Sequence, residues 1–232
     1  FASSSMAIDL ARRHDALLHI LHLTTAMEMP QFSDAHRSKK RITAEVCVHH
    51  LWFDESRYDE LGTWIKCNPA IKSANDRRAL ITALNEGRID IIATDHAPHT
   101  ASEKDASYFQ APAGLPLVQH ALLTLFDLVA NGQITMELLV DRVSHAPADL
   151  FGVVERGYVR EGWFADLVIV DPEKPYKVHK DNLLSKCQWS PFEGHEFSAS
   201  IDTTIVNGEV AYEHGKLSDR IAGRRLEFTR SR

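Results

Sequence analysis

The stretch Ile89-Asp90-Ile91-Ile92-Ala93-Thr94-Asp95-His96-Ala97-Pro98-His99-Thr100 decides how the fold of this chain is interpreted. Its first half is mostly apolar, as in a strand that is buried on both faces. Asp95, His96 and His99 follow at once, and a proline stiffens the segment that carries them. In an α/β barrel the carboxyl ends of the strands carry the catalytic groups. We therefore interpret the stretch as a buried strand followed by a rigid functional loop.

Outward from this stretch, strand and helix patterns alternate through the first 150 residues. The pattern predicts strands at 16–23, 42–48 and 89–94, and helices at 5–13, 74–86, 117–129 and 135–143. Strands separated by helices indicate a parallel α/β sheet or barrel. We predict that residues 1–150 form part of such a barrel.

The sequence pattern changes after about residue 150, where glycines separate short segments. Residues 166–170 are predicted to form a strand, and Asn207-Gly208 separates two short apolar runs at 201–206 and 209–212. Asn-Gly between such runs is a strong β-hairpin signal. We predict that residues 151–232 form a β-rich segment.

Composition excludes several classes of protein. The 232 residues are 44% hydrophobic and 25% charged, which is ordinary for a globular protein and argues against a disordered chain. The formal net charge is −6 and the basic residues are scattered, so no nucleic-acid partner is expected. No apolar run approaches the ~20 residues that span a bilayer, so no membrane partner is expected. The start lacks an initiator Met and a signal-peptide pattern, and we interpret the chain as cut into there.

The cysteines suggest the compartment. Cys47, Cys67 and Cys187 are odd in number, far apart and outside any C-x-x-C pair. This pattern is typical of a reducing cytoplasm and argues against a cysteine zinc site.

Polar residues also close the other predicted strands. His22 ends an apolar strand, whereas His19, three residues earlier, is expected on the opposite face. His49 and His50 follow the next strand, and adjacent side chains on a strand diverge, so both are not expected at one site. Asn68 precedes a proline, which favours extended backbone and a presented amide. Each segment alone also has a purely structural interpretation. The histidines could be hydrogen-bonded core residues, Asp95 could cap the next turn, and Asn68-Pro69 could form a turn.

Together these segments indicate polar clusters at successive strand ends. A His and an Asp placed there are suitable ligands for a zinc-type ion, which can make water nucleophilic near neutral pH. A carboxylate that holds such an ion and touches the water can also accept its proton.

The chain resembles the dihydroorotases of the amidohydrolase superfamily, in particular the long bacterial type, over nearly its whole length. The Asp-His-Ala-Pro-His string at 95–99 is the most specific match, because related hydantoinases and allantoinases usually lack the second His. The other matching strings are Ile42-Thr43-Ala44-Glu45-Val46 with His49-His50-Leu51, Lys66-Cys67-Asn68-Pro69, Ala111-Pro112-Ala113-Gly114, and Trp189-Ser190-Pro191-Phe192-Glu193-Gly194.

The resemblance implies a fold, a reaction and site residues. The fold would be the C-terminal part of a (β/α)8 metal-dependent hydrolase barrel, about strands six to eight, plus part of a small β-sandwich domain. The reaction would be the reversible cyclisation of N-carbamoyl-L-aspartate to L-dihydroorotate in pyrimidine biosynthesis, at a pair of zinc ions. By position, His22 and Asp95 match metal ligands, and Asp95 also matches the general base. The matching substrate-binding residues are Asn68, His99, Ala113 and Gly114; His49 and His50 are assigned supporting roles.

Other features of the family are missing from this chain. They are the His-x-His pair and the Arg of the first barrel strand, the Lys or Asp that bridges the metals, and the fifth-strand His. An isolated chain with two metal ligands is expected to bind zinc poorly, and whether it is active alone stays open.

Two alternatives remain beside a cytoplasmic, zinc-dependent dihydroorotase with a small-molecule substrate. One is a hydantoinase-like or allantoinase-like cyclic amidase, which His99 disfavours. The other is a non-catalytic dihydroorotase-like subunit, which the retained site residues disfavour. A homodimer is the oligomeric state left open.

Overall fold

The structure is a computed structural model that describes residues 1–220 and 223–229. Its α-helices are α1 (Ala2–Arg13), α2 (Val48–Trp52), α3 (Tyr58–Leu61), α4 (Ala74–Asn85), α5 (Ala101–Lys104), α6 (Ala121–Ala130), α7 (Met136–Val140) and α8 (Ala146–Phe151). Its strands are β1 (Leu18–Ile20), β2 (Ile42–Cys47), β3 (Ile91–Ala93), β4 (Leu167–Asp171), β5 (Tyr176–Lys177), β6 (Glu196–Phe197), β7 (Ser200–Val206), β8 (Glu209–Glu213) and β9 (Lys216–Leu217).

The chain divides into two compact units. The first comprises Phe1–Thr124 and His179–Glu193, and the second comprises Leu125–Val178 and Gly194–Arg232. The domain boundary that we expect near residue 150 stays a prediction.

The first unit is built on a parallel sheet in the order β1-β2-β3. Leu18 pairs with Ile42, and Glu45 pairs with Ile91. Five of the six residues of β2 are buried, as expected for a central parallel strand. All three predicted strands are confirmed, but β1 and β3 are shorter than their apolar runs, so His22 lies beyond the end of β1.

Helix α4 shows how local sequence sets the elements around this sheet. Ser73 caps its start, because the hydroxyl oxygen accepts a hydrogen bond from the backbone N–H of Asp76. Leu80 and Leu84 lie on its buried face, and Gly87 follows its end in a left-handed conformation. The predicted helix is therefore confirmed with nearly the predicted bounds.

A buried ion pair between Lys40 and Asp90 lies at the amino-terminal end of the sheet. Lys40 Nζ lies 2.8 Å from Asp90 Oδ1 and donates to the carbonyl of Gly87 at 2.6 Å. The second carboxylate oxygen of Asp90 accepts the backbone N–H of Ala44 at 3.0 Å. Because both side chains are buried, these contacts replace the lost hydration and tie β2 to the start of β3.

The second unit is rich in β-structure, with antiparallel strands in the order β4-β7-β8-β9 and a separate β5-β6 pair. The predicted hairpin is confirmed: Val206 pairs with Glu209, and Asn207 and Gly208 both have positive φ, as a type I′ turn requires.

The predicted helix at 135–143 is interrupted. Helix α7 passes into a π-helical turn, Asp141–His145, before α8 begins. Pro147 cannot donate a backbone hydrogen bond to Val143, so the regular α-helical ladder is broken there. Across the described residues, no helix is both long and apolar enough to span a membrane.

Candidate active site

Parallel pairing brings the carboxyl ends of β1, β2 and β3 to one edge of the sheet. His22 and Asp95 follow β1 and β3 at this edge, and His22 Nε2 lies 3.7 Å from Asp95 Oδ1. Both residues have left-handed backbone conformations, with φ of 54° and 47°. Such conformations are costly for side chains other than Gly and often occur at functional sites. The two residues that we predicted as metal ligands are therefore neighbours.

Glu45 is a site residue that the sequence analysis did not single out. Its Oε1 lies 2.7 Å from His22 Nδ1, and its side chain is only 8% exposed. Alternation along β2 places Thr43, Glu45 and Cys47 on one face. An acidic residue within an otherwise buried strand was the signal that could have revealed it.

His19 also contacts this carboxylate, which corrects our expectation that His19 and His22 face opposite ways. His19 Nε2 lies 3.5 Å from Glu45 Oε2, and its Nδ1 lies 2.8 Å from Thr43 Oγ1. Strand alternation fails here because β1 ends at Ile20 and His22 has left-handed backbone.

The contact of His22 Nδ1 with Glu45 Oε1 at 2.7 Å, closer than its 3.1 Å contact with Cys47 Sγ, determines what His22 can do. A carboxylate accepts, so Nδ1 of a neutral His22 carries the proton and Nε2 keeps a lone pair on the side of Asp95. This is the arrangement by which a carboxylate orients a metal-binding histidine. Two ligand atoms 3.7 Å apart are close to the ~3.4 Å expected for tetrahedral ligands at zinc bond lengths of ~2.1 Å. The donor set of His22 and Asp95 therefore fits a zinc-type ion.

The predicted substrate-binding residues lie on loops that contact one another. Gly114 N donates to the carbonyl of Lys66 at 2.9 Å, next to the loop of Asn68, which is exposed. His99 Nε2 donates to the carbonyl of Ala113 at 3.1 Å. The structure thus brings the loops at 66–69, 97–99 and 111–114 together.

Gly114 is required where these loops meet. Its φ is +142°, and a Cβ there would lie 2.5 Å from the carbonyl oxygen of Ala97 and 3.0 Å from His99 Nε2. Any side chain would therefore push apart the two loops that carry His99 and Ala113.

Lys104 is a second residue that the sequence analysis missed. It is fully buried, and its ammonium group donates to the carbonyls of Lys66, Pro112 and Gly114 at 2.9–3.2 Å. Burial lowers its pKa to about 8. Lys104 therefore holds the backbones of the loops at 66–69 and 111–114 together.

Two aromatic or imidazole groups also support the loop at 95–99. Trp189 Nε1 donates to the carbonyl of His99 at 2.7 Å, and both residues belong to the first unit. His96 Nδ1 accepts the backbone N–H groups of Leu117 and Val118 at 3.0 and 3.1 Å. His96 therefore has a structural role in this loop.

The positions of His49 and His50 correct another expectation. Both lie on helix α2 rather than on a strand, and their ring centroids are 4.1 Å apart, so they do not diverge. Both are buried, and burial lowers the pKa of His50 to about 4 and that of His49 well below its usual value. His50 Nε2 donates to the carbonyl of Pro69 at 2.9 Å, in a loop whose Asn68–Pro69 peptide bond is cis.

Comparison with known proteins identifies sequences that are similar to this chain over most of its length. A dihydroorotase of Halobacterium salinarum is 40% identical over 219 residues, which is 94% of this chain and 50% of that protein. A dihydroorotase of Macrococcus caseolyticus is 35% identical over 208 residues, which is 89% of this chain and 49% of that protein. This chain therefore spans about half the length of these relatives.

The fold is also similar to that of solved structures, and again the chain covers about half of the matched protein. The L-hydantoinase (dihydropyrimidinase) of Arthrobacter aurescens superposes with a TM-score of 0.85 at 25% identity, over 91% of this chain and 48% of that one. This likeness confirms the predicted α/β fold class with a partial hydrolase barrel. The sequence profile of the amidohydrolase family matches residues 5–211, which include both strand-end residues and all the loops around them. The chain belongs to the amidohydrolase family.

Proposed function

We propose that the protein carrying this chain is a dihydroorotase, which reversibly cyclises N-carbamoyl-L-aspartate to L-dihydroorotate. The observation that carries the proposal is the pairing of His22 with Asp95 at the sheet edge, 3.7 Å apart, in a chain 40% identical to a curated dihydroorotase. A cytoplasmic location and a homodimer belong to the same proposal, and three free cysteines support the location.

The proposed cofactor is zinc, with two ions per complete site. In this chain His22 and Asp95 would hold it, and the remaining ligands would come from outside these 232 residues. When bound, zinc supplies Lewis acidity, which polarises a carbonyl group and lowers the pKa of water. Glu45 keeps Nε2 of His22 available as a ligand by accepting the proton on Nδ1.

Asp95 is the proposed general base. In the ring-opening direction its carboxylate accepts a proton from the attacking water and returns it to the ring nitrogen that leaves. In the cyclisation direction the same proton moves in reverse. Asp95 is half-buried at the open edge of the sheet, where it can reach both ligand and water.

The loops around Gly114 are proposed to bind the substrate. His99 Nε2 is engaged by Ala113, so an imidazolium at His99 would use Nδ1 to donate to the substrate carboxylate. Asn68 would offer its exposed amide, and the backbone of Ala113 and Gly114 would contact the ring. Lys104 holds these backbones in place and does not touch the substrate in this proposal.

A cyclic amidase of the hydantoinase type is the second candidate, favoured by the superposition on the L-hydantoinase. The discriminating experiment assays the purified full-length protein with L-dihydroorotate, a 5-substituted hydantoin and allantoin under identical conditions. We expect turnover of dihydroorotate far above that of the other two. Preferential hydrolysis of the hydantoin or allantoin would reassign the substrate, and no turnover of any of them would favour a non-catalytic subunit.

A further inference from the structure

A second group of potential metal ligands lies at the end of β2 and on helix α2. Cys47, His49 and His50 each offer one ligand atom, and these atoms lie within 4.8 Å of one another. All three residues are buried; Cys47 and His49 are fully inaccessible and His50 is 3% exposed. We call these three residues the buried Cys–His cluster.

The imidazole groups of the cluster are unsatisfied. Among the described residues, neither ring nitrogen of His49 has a hydrogen-bond partner, and neither does Nδ1 of His50. Leaving a buried polar group unpaired costs about 1–3 kcal/mol. Such groups are rare in folded proteins and are often explained by an ion.

His50 has the tautomer of a metal ligand. Its Nε2 lies 2.9 Å from the carbonyl oxygen of Pro69, which only accepts hydrogen bonds, so Nε2 carries the proton. Nδ1 is therefore left with a buried lone pair, which no atom of residues 1–220 or 223–229 engages. Metal-binding histidines commonly donate their other N–H to a backbone carbonyl in this way.

We propose that Cys47, His49 and His50 bind a zinc-type metal ion, at a structural site separate from the one formed by His22 and Asp95. One thiolate and two neutral imidazoles are a donor set suited to this class of ion. Three protein ligands leave a fourth position of a tetrahedral zinc ion for a small ligand.

The charges at the cluster balance on binding. Burial holds both imidazoles neutral, so neither loses a proton when it ligates the ion. Burial also raises the pKa of the Cys47 thiol, so this residue is neutral without the ion and releases one proton to solvent as the metal–sulfur bond forms. The positive charge that remains lies beside Glu45, which has a carboxylate oxygen within 4.8 Å of Cys47 Sγ.

His22 is the competing partner of Cys47, since its Nδ1 lies 3.1 Å from Cys47 Sγ. That nitrogen already contacts Glu45 at 2.7 Å, however, whereas the nitrogens of His49 have no hydrogen-bond partner within the described part of the chain. Cys47 therefore has two imidazoles of helix α2 within 4.8 Å, and among the described residues that of His49 has no hydrogen-bond partner.

X-ray absorption at the zinc edge tests this site in the full-length protein. We would load zinc into the His22→Asn variant, which disables the strand-end site, and expect a sulfur ligand at ~2.3 Å from the ion. Absence of a sulfur shell in this variant and in the unmutated protein would overturn the proposal.

Cysteine and histidine variants identify the ligands. In the His22→Asn background, Cys47→Ala should lose the sulfur shell and His49→Gln should lose the bound zinc. Cys67→Ser is the matched control, because Cys67 is also buried but lies 3.8 Å from Nε2 of His50, the nitrogen that carries the proton and cannot bind a metal ion. A sulfur shell that survives Cys47→Ala, or that Cys67→Ser removes, would contradict the assignment.

This result is separable from the proposed activity. Asp95→Asn should lower turnover by ~10²–10⁴-fold and leave the sulfur shell intact. The sulfur shell could also be present in a protein that acts on another substrate, so failure of the dihydroorotase proposal would not by itself remove the site.

Discussion

Each end of the β1–β2–β3 sheet has one buried carboxylate, and the two carboxylates have different partners. At the amino-terminal end Asp90 is saturated by Lys40 and a backbone N–H, and both side chains are inaccessible. At the carboxyl end Glu45 is also buried, yet its partner His22 is 25% exposed and has a second nitrogen near Asp95.

The difference separates stability from reactivity. A paired and inaccessible carboxylate cannot be reached by a ligand, so the Lys40–Asp90 pair can only hold the strands in place. A carboxylate that engages one side of an imidazole prepares the other side for chemistry. This division matches the general rule that one end of a barrel carries catalysis and the other stability.

The largest effect should come from the reactive end. If the proposed function holds, Asp95→Asn in the full-length protein should lower dihydroorotate turnover by ~10²–10⁴-fold, because the general base is lost. Steady-state kinetics measure this loss, with exposed Asp105→Asn as the control expected near wild-type activity. Activity of Asp95→Asn within about tenfold of wild type would contradict its role.

The second largest effect should be a loss of stability at the amino-terminal end of the sheet. Lys40→Met leaves Asp90 charged, buried and without its cation, so the free energy of unfolding should fall by ~3–5 kcal/mol in urea denaturation. Arg41→Met is the control, because the Arg41–Asp15 pair is exposed and worth ~0–1 kcal/mol. Equal losses in the two variants would remove the distinction between saturated and surface pairs.

Glu45 tests whether the carboxylate at the reactive end orients His22. Glu45→Gln should weaken zinc binding at the strand-end site by ~10–100-fold, the usual cost of losing a supporting hydrogen bond. Competition with a chelator measures this affinity, in a Cys47→Ala background that removes the buried Cys–His cluster. Thr43→Val, which removes the hydroxyl group beside His19 Nδ1 and leaves Glu45 unchanged, should alter the zinc affinity less. Unchanged zinc affinity in Glu45→Gln would mean that His22 binds zinc without being oriented by the Glu45 carboxylate.

The smallest effect concerns loop packing at the reactive end. Gly114→Ala and Gly132→Ala both place a side chain at positive φ, but only at Gly114 would the new Cβ clash with neighbouring atoms. Gly114→Ala should therefore lower the free energy of unfolding by about 1 kcal/mol more than Gly132→Ala. It should also raise KM for dihydroorotate, since the loops of His99 and Ala113 separate. Equal unfolding energies would show that these loops adjust freely.

The sequence by itself determined the elements and the principal residues of the strand-end site. Apolar runs of strand length predicted β1, β2 and β3, and the residues that follow them brought out His22 and Asp95. The Asn207-Gly208 turn was predictable for the same reason. These features depend on neighbours in sequence, where periodicity and backbone preference act directly.

The tertiary structure alone decided which side chains meet. Parallel register places Glu45 against His22 and His19, and chain packing buries Lys104 beneath Gly114. Such contacts arise from pairings distant in sequence, which local patterns do not specify.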